Sequence, residues 1–299
     1  MKKPLFEGPA TALVTPFRKN DKIDFKAWQR LIDYQIDNGI ETMVAMGTTG
    51  ENPTLETDEE QSLIKSALEV TALRAKLIVG TGSINPKHAV EASERAMKAG
   101  ADAVLAVTPY YNKPTQTELI DYYTEIAKVA PTILYNVPDR TGVNITPRTA
   151  VELADNPNIV GLKDAYDCQI IEMAHVLDGV LPLYCGHDAS NFAAYVMGAA
   201  GAISVSSNVI PAKQRKLYEF VKAGLLDEAR ALHNEIFDFN AALFAESNPI
   251  PVKYALSKIG ICNNYLRAPL TKANPETERK IYETMQQLFD LKFGGCKHL

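Results

Sequence analysis

The apolar run NIVGLK at 158–163 ends on a lysine, and the run TILY at 132–135 ends on a tyrosine. A lysine amine held where solvent is scarce can add to a carbonyl and form an imine, an electron sink that acidifies the neighbouring carbon. Such chemistry needs a proton shuttle beside the imine carbon, and a phenol can serve. Each residue also has a plainer use. A lysine stem can snorkel out of a core with its charge in water, and a buried tyrosine can simply satisfy its hydroxyl. Lys163 and Tyr135 stand 28 positions apart (163 − 135), about one strand–helix unit, so neighbouring strands would carry them side by side.

Other polar residues follow apolar runs in the same way: GTTGEN (47–52), GTGS (80–83), TPYYNKP (108–114), YNVPDRTG (135–142), CGHDAS (185–190) and SVSSN (204–208). Thr48 and Thr49 can cap the next turn, the usual use of Thr near Gly. They can also form a hydroxyl-and-amide cradle for a carboxylate. Arg140 is either a solvated loop cation or a bidentate partner for a second carboxylate. Tyr110 and Tyr111 suit a packing pair at an interface, a hydroxyl relay, or both. His187 has no evident partner and is read as a bystander.

These residues must be positioned by the elements before them. Strand-like runs occur at 10–15, 42–47, 76–80, 103–108, 132–135, 158–163, 181–185 and 202–205, with amphipathic stretches between them. In DFKAWQRLIDYQIDNG, Asp24 can cap the start, Trp28, Leu31, Ile32 and Ile36 share a face, and Gly39 fits a left-handed stop. Thr57 and Glu60 have capping-box spacing, Pro86 opens a helix that Gly100 closes, and a helix–glycine–strand pattern recurs at Gly39, Gly100 and Gly201. Strand ends recur every 19 to 33 residues. Short apolar strands without strict alternation suit a parallel sheet covered on both faces. Eight units predict a (β/α)8 TIM barrel over 1–224, with a carboxyl-terminal helical extension over 225–299. In a barrel these polar stretches converge on one rim, at the carboxyl ends of the strands.

Composition narrows the function classes. A net charge of −5 argues against nucleic acid or anionic membrane as a main partner. The basic start, MKKPLFEGPATALVTPF, is interrupted by Pro4, Glu7, Gly8 and Pro9 before any signal-peptide core, and no run has the length to cross a bilayer. Cys168, Cys185, Cys262 and Cys296 are scattered, which predicts free thiols in a reducing cytoplasm. The five histidines show no metal-ligand spacing, and neither a phosphate loop nor a dinucleotide fingerprint occurs.

GTTGE (47–51), TPYYNKP (108–114), YNVPDRTG (135–142), GLKDA (161–165), GAISV (201–205) and ESNPIPVKYAL (246–256) together resemble the dihydrodipicolinate synthase family, in the same order from the amino terminus to about residue 270. The resemblance implies a lysine-biosynthesis enzyme of the class I aldolase type, needing no metal or organic cofactor. Pyruvate would condense with Lys163, and the resulting enamine would attack L-aspartate 4-semialdehyde. By the same resemblance Tyr135 shuttles protons relayed by Thr48 and Tyr111. Thr49 and the backbone at Ile203 hold pyruvate, and Arg140 holds the semialdehyde carboxylate. Tyr111 would act across a dimer interface within a homotetramer built from two dimers.

Feedback-inhibited members of the family carry Ser, Ala, His, His, Asn and Glu where this chain has Asn52, Pro53, Thr57, Glu60, Ile84 and His88, while Tyr110 is retained. Loss of an amide and a carboxylate predicts weak or absent inhibition by lysine. Two rival readings are a sister pyruvate-dependent aldolase, such as N-acetylneuraminate lyase or a keto-deoxy sugar acid aldolase, and a non-catalytic ligand-binding barrel.

Overall fold

A computed structural model describes residues 2–289; Cys296, the final FGGCKHL and the last ten residues of the expected 225–299 extension lie outside them. Eight strands form a closed barrel in chain order: β1 (Gly8–Ala12), β2 (Thr42–Ala45), β3 (Lys76–Gly80), β4 (Ala103–Val107), β5 (Thr132–Asn136), β6 (Ile159–Asp164), β7 (Leu183–Cys185) and β8 (Gly201–Ser204). Every neighbouring pair is parallel, including the closing pair of β1 and β8. The helices are α1 (Phe25–Asp37), α2 (Thr57–Thr71), α3 (Pro86–Ala99), α4 (Gln116–Ala127), α5 (Pro138–Thr141), α6 (Pro147–Leu153), α7 (Ile170–Leu177), α8 (Asn191–Val196), α9 (Pro211–Lys222), α10 (Leu226–Ala242), α11 (Ile250–Lys258) and α12 (Pro275–Phe289). This is the TIM barrel that eight strand–helix units predict, and none of the described helices is long and apolar enough to cross a membrane.

Alternation along the strands sorts side chains into two cores. Ala10, Val44, Ile78, Leu105, Ile133, Tyr135 and Ile203 fill the barrel interior, closed at the amino end by the Phe6 and Tyr184 rings stacked 4.2 Å apart. The opposite faces pack under the helices, and the apolar faces of α10, α11 and α12 join that same outer core. On β5 and β6 the alternation puts Tyr135 inward, while Asn136 and Asp164 face outward and hydrogen-bond at 3.0 Å.

Several local expectations need correction. β1 lies at Gly8–Ala12, not 10–15. Leu13 to Thr15 are buried; Leu13 still donates its amide to Val44 of β2 at 3.0 Å, but the chain leaves the ladder at Val14, whose amide goes to the Asn208 side chain at 3.2 Å. The capping box of α2 is Glu56 with Glu59, one residue earlier than Thr57 with Glu60. Asp24 does cap α1, and Gly39 and Gly100 adopt φ of 82° and 107°. Gly201 ends no helix; it opens β8, where a Cβ would meet the Gly8 carbonyl oxygen at 2.1 Å, so glycine is required by the close approach of β1. Beyond α8 it is Gly198, with φ of 95°, that takes the left-handed conformation.

Candidate active site

β5 and β6 pair so that Tyr135 and Lys163 are direct register partners, followed outward by Asn136 and Asp164. The Lys163 Nζ lies 4.2 Å from the centre of the Tyr135 ring. Both residues are almost fully buried, with 5% and 6% of their surfaces exposed. Room for the lysine stem comes from Gly186 after β7, where a Cβ would stand 3.0 Å from Lys163 Cε and 2.8 Å from Ala165 Cβ. Thr48, on the short turn after β2, reaches the Tyr135 hydroxyl together with Lys163. Burial pushes the Tyr135 phenol up, but Lys163, Thr48 and Arg140 outweigh burial and hold it below the ordinary tyrosine value. A phenol so placed gives up its proton more readily than a free tyrosine.

A cavity of about 380 Å³ opens at the carboxyl ends of the strands, with Thr48, Glu51, Tyr110, Tyr135, Arg140 and Asn248 in its wall. Lys163 is not a wall residue of this cavity; it sits beside Tyr135, which is. Arg140 is carried by α5, the single turn that Pro138 opens directly after β5. Ile203 is fully buried on β8 and faces the barrel interior. Its strand end is pinned by Asp188, whose Oδ2 accepts from the backbone amides of Val205 at 2.9 Å and Ser206 at 2.8 Å. Thus Lys163, Tyr135, Thr48, Thr49, Arg140 and Ile203 gather at one end of the barrel. Tyr111 does not. It is 90% exposed, with φ of 70°, whereas its neighbour Tyr110 lines the cavity.

Three features escaped the sequence reading. Asn248, in the segment before α11, donates from its side chain to Thr49 Oγ1 at 2.9 Å, and its backbone carbonyl accepts from Arg140 Nη2 at 3.1 Å. Glu51, the last residue of GTTGE, forms a buried ion pair with Lys253 of α11 and accepts the Arg267 amide at 3.0 Å. His187 is no lone bystander, because its Nδ1 meets Asp167 Oδ2 at 2.7 Å and joins the loops after β6 and β7. Among the described residues, no group of three or more His, Cys, Asp or Glu is placed to hold a metal ion.

Comparison with known proteins agrees with this geometry. Residues 5–288 match the Dihydrodipicolinate synthetase family. The 4-hydroxy-tetrahydrodipicolinate synthase of Thermosipho africanus is 42% identical over 291 residues, spanning 94% of this chain and 98% of its own. That of Geobacter metallireducens is 41% identical, spanning 95% of this chain and 99% of its own. The crystal structure of the chloride-inhibited dihydrodipicolinate synthase of Acinetobacter baumannii, complexed with pyruvate, superposes with a TM-score of 0.93 at 38% identity, covering 96% of this chain and all of that one (100%).

Proposed function

The chain belongs to the dihydrodipicolinate synthetase family, and on that premise we propose the reaction its site carries out: condensation of pyruvate with L-aspartate 4-semialdehyde through a Schiff base on Lys163. The enzyme is a lyase, and its product is 4-hydroxy-tetrahydrodipicolinate, on the diaminopimelate route to lysine. The Lys163 amine adds to the pyruvate ketone and water leaves, giving an imine. A methyl proton is then removed, and the electron pair moves to nitrogen as an enamine. The enamine carbon attacks the aldehyde of the second substrate, whose oxygen takes up a proton. Finally the amino group of that substrate attacks the imine carbon, closes the ring and releases Lys163 as the free amine. No metal or organic cofactor enters these steps.

Tyr135 is assigned the proton transfers, because it is the register partner of Lys163 and its phenol is held below the ordinary value. Thr48 relays protons to it. Thr49 and the backbone at Ile203 are assigned the pyruvate carboxylate, and Arg140, in the cavity wall, the carboxylate of the semialdehyde. Arg140 supports this second substrate over the long polyols of the sister aldolases. Tyr111 completes the relay from a second copy, within a homotetramer of two tight dimers. Its exposure in a left-handed backbone conformation supports use outside its own cavity. Cys168, Cys185 and Cys262 are unpaired, which suits a reducing cytoplasm.

The observation that carries the proposal is the side-by-side placement of Lys163 and Tyr135 at the head of the barrel. The test is reduction with borohydride in the presence of pyruvate, followed by peptide mass mapping. The reduced adduct is expected on the peptide containing Lys163. An unmodified Lys163 after loss of activity, or full pyruvate turnover by Lys163→Ala, would overturn the assignment.

A further inference from the structure

We propose that Asn248 is a positioning residue that fixes the direction of the Thr49 hydroxyl proton, so that Thr49 donates to the carboxylate of pyruvate. The inference rests on the reading above, in which Thr49 and Arg140 hold the two substrate carboxylates. Asn248 lies 199 positions from Thr49 in the chain, is 6% exposed, and forms part of the cavity wall. It touches both carboxylate-holding residues, through its side-chain amide at Thr49 and its backbone carbonyl at Arg140.

A threonine hydroxyl carries one proton and can accept elsewhere on the oxygen. The Asn248 N–H occupies an acceptor position on Thr49 Oγ1, so the Thr49 proton must point away from Asn248. A carboxylate is acceptor-only, and a hydroxyl serves it only by donating. The far side of the same amide supplies the second observation. Asn248 Oδ1 is buried without a hydrogen-bond partner. The amide therefore forgoes a bond on one side while keeping a donor on Thr49 on the other. Arg140 is held differently, by a backbone carbonyl that every residue at position 248 would provide.

That difference makes the inference testable on the full-length enzyme. Asn248→Asp keeps the shape and replaces the donor by an acceptor, which turns the Thr49 proton towards itself. Its KM for pyruvate is expected to rise by about tenfold or more. The penalty relative to the parent enzyme should shrink as pH falls and the new acid protonates, since the acid O–H can donate again. Asn248→Leu removes the donor without adding an acceptor. It should raise the pyruvate KM less than Asn248→Asp does, and leave the semialdehyde KM within about twofold, because the carbonyl to Arg140 persists.

Equal rises for both substrates in Asn248→Leu would mean a merely structural role and would overturn the proposal. So would an Asn248→Asp enzyme whose pyruvate KM matches the parent, or whose penalty ignores pH. Thr49→Val separates the two levels. If it leaves the pyruvate KM unchanged, the carboxylate assignment itself fails. If it raises that KM while Asn248→Asp does not, the assignment stands and only the role of Asn248 falls.

Discussion

Lys163 and Tyr135 face each other across the β5–β6 ladder, with the lysine nitrogen 4.2 Å from the ring centre of the tyrosine. In the proposed reaction this contact joins a nucleophile to its proton shuttle, and the two functions can be separated by deleting one oxygen. Tyr135→Phe keeps the ring that packs inside the barrel and removes the hydroxyl. We expect kcat to fall by about 10²–10⁴-fold, the usual worth of a positioned acid–base group. The thermal midpoint should move little. Steady-state rates alongside a melting curve check this; a large loss of stability with a small loss of rate would mean that Tyr135 is chiefly a core residue.

Arg140 differs from a generic loop cation because its Nη2 is anchored on the Asn248 carbonyl at 3.1 Å while the residue lines the cavity. Arg140→Lys retains charge but loses the planar fork. The KM for the semialdehyde should rise by about 10- to 100-fold, corresponding to loss of hydrogen bonds to a charged group. Trapping of pyruvate on Lys163 by borohydride should persist, since the proposed role of Arg140 is to hold the second substrate. Arg140→Ala should also shift the limb of the rate profile that reports Tyr135 to higher pH, because Arg140 helps hold that phenol low.

The barrel was legible because eight short apolar runs recur at the length of a strand–helix unit, and the strand-end residues Lys163 and Tyr135 stand out against those runs. Boundaries were less legible where burial and strand pairing diverge, as at Val14 and Thr15, buried like a strand yet bonded to Asn208 and Gly50 instead of a ladder. The glutamate at the N-cap of α2 is hard to read from sequence because Thr57 beside it is the commoner capping type. Asn248 and Lys253 were invisible as site residues for a different reason. Their partners Thr49 and Glu51 are some 200 positions away, and no local pattern marks an asparagine or lysine as facing them. His187 likewise meets Asp167 only because the loops after adjacent strands β6 and β7 are neighbours.

Inhibition by lysine is expected to be weak or absent. Feedback-inhibited relatives carry different side chains at positions 52, 53, 57, 60, 84 and 88, as the resemblance indicates. Two of the polar groups present here are already engaged: the Asn52 amide donates to the Gly80 carbonyl at 3.3 Å, and Glu60 pairs with Arg95 at 3.8 Å. Ile84 is exposed and offers no polar atom beyond its backbone. Titration of the activity with lysine checks the point, and half-inhibition at sub-millimolar lysine would contradict it.

The His187–Asp167 contact gives a pH signature. Its hydrogen bond to Asp167 raises the His187 pKa above 6.5, although burial opposes it. Burial would raise Asp167, but His187 and Ser190 outweigh it and hold that carboxyl below 3.8. The histidine contribution is fully present below pH 6.5 and is lost as pH rises through the raised folded value. The aspartate contribution is present above pH 3.8 and is lost as pH falls through the depressed one. With side chains 29% and 48% exposed, the pair is screened by solvent. It is therefore worth only about 0.5 kcal/mol, or about 1 °C in the thermal midpoint. His187→Ala should cost that stability at pH 6 and almost none at pH 9; an equal loss at both would point to packing against Phe244 instead.

The buried pair Glu51–Lys253 ties the turn bearing Thr48 and Thr49 to α11. Both side chains are removed from water, Lys253 lying 4.2 Å over the Phe17 ring and donating to the Tyr265 carbonyl at 2.8 Å. Burial pushes the Lys253 amine down, and the Glu51 carboxylate beside it pushes back, so the lysine charge depends on its partner. Glu51→Gln leaves the lysine buried without its counter-charge and should destabilise the fold by about 3–5 kcal/mol. Because the turn is held from α11, the pyruvate KM should rise as well. Replacing both residues, Glu51→Gln with Lys253→Met, removes the uncompensated charge. It should recover part of the stability, giving a double-mutant cycle far from additive. Recovered stability without recovered pyruvate affinity would show that the ion pair serves the geometry of Thr48 and Thr49 more than the stability of the barrel. Additive losses would instead mean that the two charges act independently.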